Sequence, residues 1–148
     1  MKVMIELIAS FILVSAFGVI FQAPKRSLWL VGLTGSISWS GFLVADYFID
    51  SIVISSFIAS IVVSLCGELF ARIMKLPITV FVIAGIIPLV PGVPAYNTML
   101  FIIQGDYLQG LELGINTLMI AGAIAFAIAI VGAGAKYYKD FLQNNRAR

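Results

Sequence analysis

Long apolar runs, separated by short polar or charged segments, make up most of this chain. Each run can cross a bilayer as a helix, which takes about 20 residues. Because an unpaired backbone group in hydrocarbon costs several kcal/mol, such runs predict helices, which pair their own backbone. The pattern predicts one membrane domain over residues 1–148 with five spans, at Val3–Phe21, Leu28–Phe48, Ile52–Phe70, Pro77–Gln104 and Leu111–Ala135.

Composition supports this prediction and excludes several classes of protein. The chain is 61% hydrophobic and 11% charged, whereas soluble domains carry about a quarter charged residues. We therefore predict an all-α integral membrane protein that crosses the cell membrane (inner or plasma membrane) several times. The chain has no histidine and one cysteine, Cys66, and it lacks the GxSxG and HExxH patterns of membrane enzymes. We expect no enzyme activity, catalytic residue, metal, cofactor or nucleic-acid partner.

Charged residues near the span ends predict an orientation. If the chain crosses the membrane five times, most of its basic residues fall on one side. The positive-inside rule assigns that side to the cytoplasm. The amino terminus is then outside, the carboxyl terminus is inside, and residues 136–148 form a basic tail on the anionic inner leaflet. The inner side holds Lys25, Arg26, Arg72, Lys75, Lys136, Lys139, Arg146 and Arg148, and the outer side holds Lys2, Glu6, Asp46, Asp50, Asp106 and Glu112.

The fourth predicted span carries the strongest helix breakers in its middle. Residues 85–98 read GIIPLVPGVPAYNT, with Pro88, Pro91 and Pro94 three apart. Each proline removes a backbone donor and pushes the preceding residue away from helical dihedral angles. We therefore predict a discontinuous span with two half-helices, from about Ile78 to Ile87 and from about Pro94 to Ile103.

A break at this depth exposes polar backbone groups, which are tolerated only inside protein or along a wet cavity. If Pro94 begins the second half-helix, the amides of residues 95–97 lack helical partners and favour an anion, while carbonyls near residues 84–87 favour a cation. Discontinuous helices build midplane sites in secondary transporters, although a proline kink without a ligand is the alternative. The candidate solute-binding residues are Pro91, Gly92, Pro94, Ala95, Tyr96, Asn97 and Thr98.

A polar stripe on the third span has two interpretations. Its spacing predicts one helix face that packs against a neighbour and ends in an ion pair near the cytoplasm. The alternative makes Glu68 a proton-coupling carboxylate, because carboxylates at membrane depth are functional candidates. The stripe consists of Ser56, Ser60, Ser64, Glu68 and Arg72.

Two further features predict contacts between helices. Trp39 lies far from either interface of the second span, and its indole N–H needs a partner there. It either packs against a neighbouring helix or lines the solute path. Gly110 and Gly114 form a GxxxG motif, which predicts a docking face within the bundle or for a partner.

The residues around the break resemble those of a known family. The segment TVFVIAGIIPLVPGVPAYNTM, with SFIASIVVSLCGELFAR and LVGLTGSISWSGF earlier in the chain, is similar to the threonine/serine exporter family. The resemblance covers essentially the whole chain. Within the family, the chain most resembles the short, stand-alone form of the carboxyl-terminal membrane half. The IPLVPG…AY run is its most specific part.

The resemblance implies a subunit of a secondary-active exporter of small metabolites. It implies export of threonine and serine, driven by the proton motive force, together with a larger membrane subunit that resembles the amino-terminal half. Dicarboxylate (succinate-type) export by the same split assembly and a non-transporting membrane scaffold are the alternatives. Because no Lys or Arg lies mid-membrane, the chain alone favours an amino acid over a dicarboxylate. Pairing with a second copy of the chain stays open.

Overall fold

The computed structural model describes the backbone of residues 1–146 and the side chains of residues 1–137. This described backbone is helical apart from short connections and holds no strand. The helices are α1 (Lys2–Ile20), α2 (Leu28–Ile49), α3 (Ile52–Met74), α4 (Ile78–Gly85), α5 (Gly92–Ile103) and α6 (Tyr107–Arg146), with 3-10 turns at Lys25–Ser27 and Ile87–Leu89.

Four of these helices, α1, α2, α3 and α6, are each long and apolar enough to cross a membrane. The segment Ile78–Leu89 and α5 meet the same test as a pair, bent by 50° at the break. Counting the pair as one crossing gives up to five spans. The all-α architecture with four to five apolar spans and a break after α4 is thereby confirmed, and the orientation stays a prediction.

Two helices run further than the predicted spans. α3 continues to Met74 and ends where Lys75 adopts a left-handed conformation with φ 54°. α6 begins at Tyr107 and continues to Arg146, so residues 136–146 of the basic segment predicted as a tail prolong the last span as a helix. Most side chains of this segment lie outside the described residues, and its contact with the inner leaflet stays a prediction.

The helices pack around α2, which lies between α1 and α3. α4 contacts all three of these helices, whereas α6 packs against α3 on one side and α5 on the other. Small residues allow this close approach, as is typical of helices in lipid. At Gly35 in α2, an added Cβ would collide with the Val14 side chain and lie 2.9 Å from Ser10 O. Glycine is therefore the residue that fits this α1–α2 contact.

The serines predicted to form a packing face on α3 are buried between helices. Ser56, Ser60 and Ser64 expose 1%, 0% and 2% of their surface. Ser64 Oγ donates a hydrogen bond to Ser60 O at 2.7 Å, so part of the stripe satisfies itself within the helix. The packing interpretation of these three serines is confirmed.

Candidate solute site

The connection between α4 and α5 leaves the helical hydrogen-bond ladder for a few residues. Leu89 N–H donates to Ile86 O at 2.8 Å. Val90 N–H donates to Ile87 O at 3.2 Å. These bonds, each to the residue three positions earlier, make a 3-10 turn. Pro88 lies at the start of this turn, where no N–H is needed, so its missing hydrogen is tolerated. The predicted break is present, and the prolines account for it.

The start of α5 differs from the prediction that Pro94 is the first helical residue. The helix begins at Gly92, two residues earlier. Pro94 then lies within the first turn, where its missing N–H is not needed. Ala95 N–H donates to Pro91 O at 3.1 Å, so the prediction that this amide lacks a partner is wrong. Residues 96–97 follow inside the helix, where amides bond to the preceding turn.

Polar backbone groups remain on both sides of the break, although they are fewer than predicted. On the α5 side, Gly92 N–H donates to Val90 O at 2.8 Å, and the hydrogen bonds of the described residues give Val93 N–H no acceptor. On the α4 side, the residue four positions after Ala84 is Pro88 and cannot donate, but a backbone N–H at the end of α4 donates to Ala84 O, so the prediction of a free carbonyl is wrong at this residue. The break thus keeps an amide for an anion at Val93, while on the α4 side a cation would meet the negative end of the half-helix and no free carbonyl of Ala84.

The candidate solute-binding residues lie close in sequence but differ in their surroundings. Ala95 and Thr98 line a groove of about 400 Å³ between α5 and α6. Thr98 Oγ1 donates to Pro94 O at 2.8 Å, so its hydroxyl is used within its own helix. Asn97 is half-buried, while Tyr96 is 67% exposed and does not line this groove. The structure therefore divides the candidates between the groove and the outer face of α5.

The outer face of α5 is uncovered in the single chain. None of its residues is buried, and Val93 and Ile103 are 72% and 74% exposed. Its packing is against α6, where a Cβ at Gly110 would lie 2.8 Å from Ile102. The predicted GxxxG motif therefore packs α6 against α5 of the same chain. The described part of this chain does not enclose the break.

α4, on the other side of the break, is held by several neighbours. Phe81 is fully buried, and its carbonyl lies 3.3 Å from Thr34 Oγ1, which donates its shorter hydrogen bond to Val31 O of α2 at 2.6 Å. At the end of α4, a Cβ on Gly85 would lie 2.5 Å from Val63 Cγ2 and 2.8 Å from Thr34 Oγ1. The first half-helix, α4, is therefore tightly packed against its neighbours.

Glu6, predicted on the outer side of the membrane from the charge pattern, lies beside the break. Trp39 Nε1 donates to Glu6 Oε2 at 3.1 Å, and both side chains line a groove of about 440 Å³ with Ser10 and Pro88. Trp39 stands midway along α2. The carboxylate is thus held beside Pro88 of the break, a placement that the sequence did not predict.

The sequence contained one signal for this pair. A mid-span tryptophan needs an acceptor for its N–H, and the neighbouring antiparallel span offers a carboxylate at Glu6. The pairing depends on the register of α1 against α2, which is fixed in part by Ser36 Oγ donating to Leu7 O at 2.9 Å. That register follows from helix contacts, which the spacing of apolar residues does not reveal.

Glu68 lies away from the break, near the end of α3. Its Oε1 accepts hydrogen bonds from Arg72 Nε at 3.0 Å and Nη2 at 2.8 Å, so the predicted ion pair is present. The pair lines a separate groove of about 390 Å³ with α6 residues such as Val131. This placement favours the packing interpretation, and proton coupling by Glu68 stays a prediction.

A known family shares this sequence over most of its length. The family described as Threonine/Serine exporter, ThrE, matches residues 6–133, which include Glu6 and the whole broken span. The chain belongs to the threonine/serine exporter family. With its four to five apolar spans, this family member is a multi-pass protein of the cell membrane.

The exporter family member also matches part of a longer relative. An uncharacterized protein of Haemophilus influenzae is 28% identical over 141 residues. The alignment covers 89% of this chain and 47% of the relative, so the chain spans about half the length of the relative that it matches. No solved structure matches the chain.

Proposed function

We propose that this chain is a subunit of a secondary-active exporter of small metabolites, with threonine and serine as solutes and the proton motive force as the energy source. The main support is the interrupted fourth span, which leaves polar backbone between α4 and α5. Discontinuous helices of this kind form midplane solute sites in transporters. The family description, which names a threonine/serine exporter, supports the solute class.

A larger membrane subunit completes the site in this proposal. Unwound backbone in hydrocarbon is costly unless protein or a wet cavity covers it. The described residues leave the break and the outer face of α5 uncovered, with Val93 72% exposed. The chain also matches only about half of its longer relative, which is consistent with a second membrane half. We place that half against α5.

An amino acid fits the two sides of the break better than a dicarboxylate. The positive end of α5, at Gly92 and Val93, suits a carboxylate. The α4 side, which is the carbonyl end of the first half-helix, suits an ammonium group. A second carboxylate needs a cationic contact, yet the Lys and Arg residues of this chain stand at or beyond the span ends. Dicarboxylate export therefore requires the larger subunit to supply that contact.

Counterflow in lipid vesicles tests the proposal. Vesicles that hold this chain alone, the larger subunit alone, or both are loaded with unlabelled solute and given labelled threonine, serine or succinate. We expect exchange of threonine and serine in the vesicles that hold both subunits. Exchange of succinate in place of the amino acids would assign the dicarboxylate alternative.

A variant that fills the break separates transport from assembly. Pro91→Leu with Gly92→Leu is expected to lower threonine exchange by about tenfold or more, since it removes the polar backbone site. The two subunits should still co-purify. The control, Val19→Leu with Ile20→Leu on the exposed face of α1, should exchange threonine like the wild type. Intact assembly with unchanged exchange in the filled variant would support a scaffold role and contradict a solute site at the break.

A further inference from the structure

Glu6 is a carboxylate within the spanning part of α1 that lacks a basic partner. Its described hydrogen bond comes from the neutral indole of Trp39, at 3.1 Å. Among the described side chains, no Lys or Arg nitrogen lies within 4.0 Å of the Glu6 carboxylate. A carboxylate taken out of water is costly unless a cation or a proton neutralises it. Lys2 stands one turn before Glu6 on α1, but its nitrogen lies beyond this distance, so the described contacts leave the carboxylate without a cation.

The groove beside Glu6 has the size and the lining to admit the cationic group of a small solute. Its volume is about 440 Å³, and Ser10 and Pro88 line it together with Glu6 and Trp39. The Trp39 ring stacks on Phe42 at a centroid distance of 5.2 Å, which restricts how the indole can turn. A carboxylate and an aromatic ring both favour a cation, and Pro88 connects the groove to the break.

We propose that Glu6 is an exchangeable cation site, which holds a proton in one step of the cycle and the ammonium group of the exported solute in another. This inference rests on the proposed export function and adds the residue at which the two cations compete. When the ammonium arrives from the cytoplasm, the carboxyl group releases its proton to water on that side, and on the outer side a proton from water replaces the ammonium, which leaves with the solute. No covalent bond other than O–H is made or broken.

Competition at one carboxylate couples the two fluxes. The protonated carboxyl group and the carboxylate–ammonium pair each have zero net charge, whereas the bare carboxylate carries one negative charge. Because an uncompensated charge in the membrane is costly, the site changes from one neutral state to the other and is rarely empty. Solute then leaves the cell as a proton enters.

Few titratable groups face this site from the elements packed around it. α1 packs against α2, α4 and the 3-10 turn that follows α4, and neither α4 nor that turn carries a titratable side chain. Of the remaining groups on these elements, the side chains can be removed singly by substitution and the amino terminus can be acetylated, so their pH response is separable from that of Glu6. They are the Met1 amino group, Lys2, Asp46 and Tyr47.

Trp39 reports on this site through its fluorescence. The chain has two tryptophans, so Trp29→Phe leaves Trp39 as the emitting residue in the purified full chain. As the pH rises from acid to alkaline, we expect one change in Trp39 emission when the proton leaves Glu6. Added L-threonine should alter the emission of the deprotonated site, whereas N-acetyl-L-threonine, which has no ammonium group, should not.

Substitutions assign these responses to one carboxylate. Glu6→Gln should remove both the pH response and the threonine response, while Glu6→Asp, which keeps the charge, and Asp46→Asn should retain both. In vesicles with both subunits, Glu6→Gln should lower threonine efflux driven by a proton gradient by about tenfold or more. Circular dichroism checks that each variant keeps its helices.

Each outcome bears on the proposal separately from the export function. Emission that still titrates and still responds to threonine in Glu6→Gln would show that Glu6 is not the cation site. A pH response without a threonine response in the parent protein would contradict exchange at Glu6. Wild-type vesicles that move no threonine would overturn the proposed function, and the fluorescence result would still decide whether Glu6 binds the two cations.

Discussion

The two halves of the broken span are both apolar, yet their surroundings differ. α4 packs against α1, α2 and α3, and its Phe81 is fully buried. α5 packs against α6 and has no buried residue. One side of the break is therefore a core element, and the other is a peripheral element of the single chain.

The difference teaches that apolar character alone does not decide which helix is enclosed. Lipid tails are as apolar as leucine, so helices associate through close packing and hydrogen bonds. α4 has both, in the tight contact at Gly85 and the bond from Thr34 to Phe81 O. By contrast, a Cβ at Gly92 would meet nothing within 4 Å. The larger subunit is the element that we expect to complete the surroundings of α5.

The largest expected effect contrasts the two glycines beside the break. Gly85→Leu should lower the free energy of unfolding by about 3 kcal/mol, since the side chain enters space held by Val63 and Thr34. Gly92→Leu should change it by less than about 0.5 kcal/mol. Reversible unfolding of the single chain in mixed micelles measures both. Equal losses in the two variants would show that the halves are equally enclosed.

A substitution on the uncovered face tests where the larger subunit binds. Val93→Trp should weaken the complex by about tenfold to a hundredfold, because a bulky ring then enters a packed interface. Val19→Trp on α1, where the valine is 61% exposed against 72% at Val93, should leave the affinity unchanged. Co-purification at graded concentrations gives the two affinities. A weakened complex with Val19→Trp and an unchanged one with Val93→Trp would place the interface on α1.

The hydroxyl groups of two threonines extend the comparison to hydrogen bonds. Thr34→Val should destabilise the single chain by about 1 kcal/mol, because the buried hydroxyl bonds Val31 O at 2.6 Å and also reaches Phe81 O of another helix at 3.3 Å, and valine removes both contacts. Thr98→Val should cost less than about 0.5 kcal/mol, since its bond runs to Pro94 O in the same helix. The same unfolding measurement applies. A larger loss at Thr98 would contradict the fixed position of α4 relative to α5.

The smallest expected effect concerns the ion pair on α3. Glu68→Gln should cost about 0.5 kcal/mol, because the Arg72 side chain is 53% exposed and such pairs contribute little. Proton-driven threonine efflux should stay within about twofold of the wild type, unlike that of Glu6→Gln. Efflux that is abolished by Glu68→Gln would restore Glu68 as the proton-coupling carboxylate.

Local patterns were sufficient to predict the spans and the break. Runs of about 20 apolar residues predict the spans. Three prolines, spaced three residues apart within one such run, predict the interruption. The same rules do not fix where α5 begins, because Pro94 fits several positions of a first helical turn. Gly92 therefore starts the helix, and the amide of Ala95 is paired.

Contacts between helices account for what the sequence did not show. The bond from Trp39 to Glu6 depends on the register of α1 against α2, and the exposure of Val93 depends on which helix α5 packs against. Neither is encoded by the periodicity of one segment. The charge of Glu6 was visible, but its place near the start of an apolar run predicted a residue at the membrane surface.

The central claim is that the break between α4 and α5 meets an aqueous solute path and not lipid. Cys66 is the single cysteine, so Gly92→Cys in a Cys66→Ser background places one thiol at the break. In vesicles that hold both subunits, we expect this thiol to react with a hydrophilic, charged thiol reagent and to react more slowly when threonine is present. A thiol at Gly92 that stays unreactive, like one introduced at the exposed Val19 within the spanning part of α1, would contradict the claim.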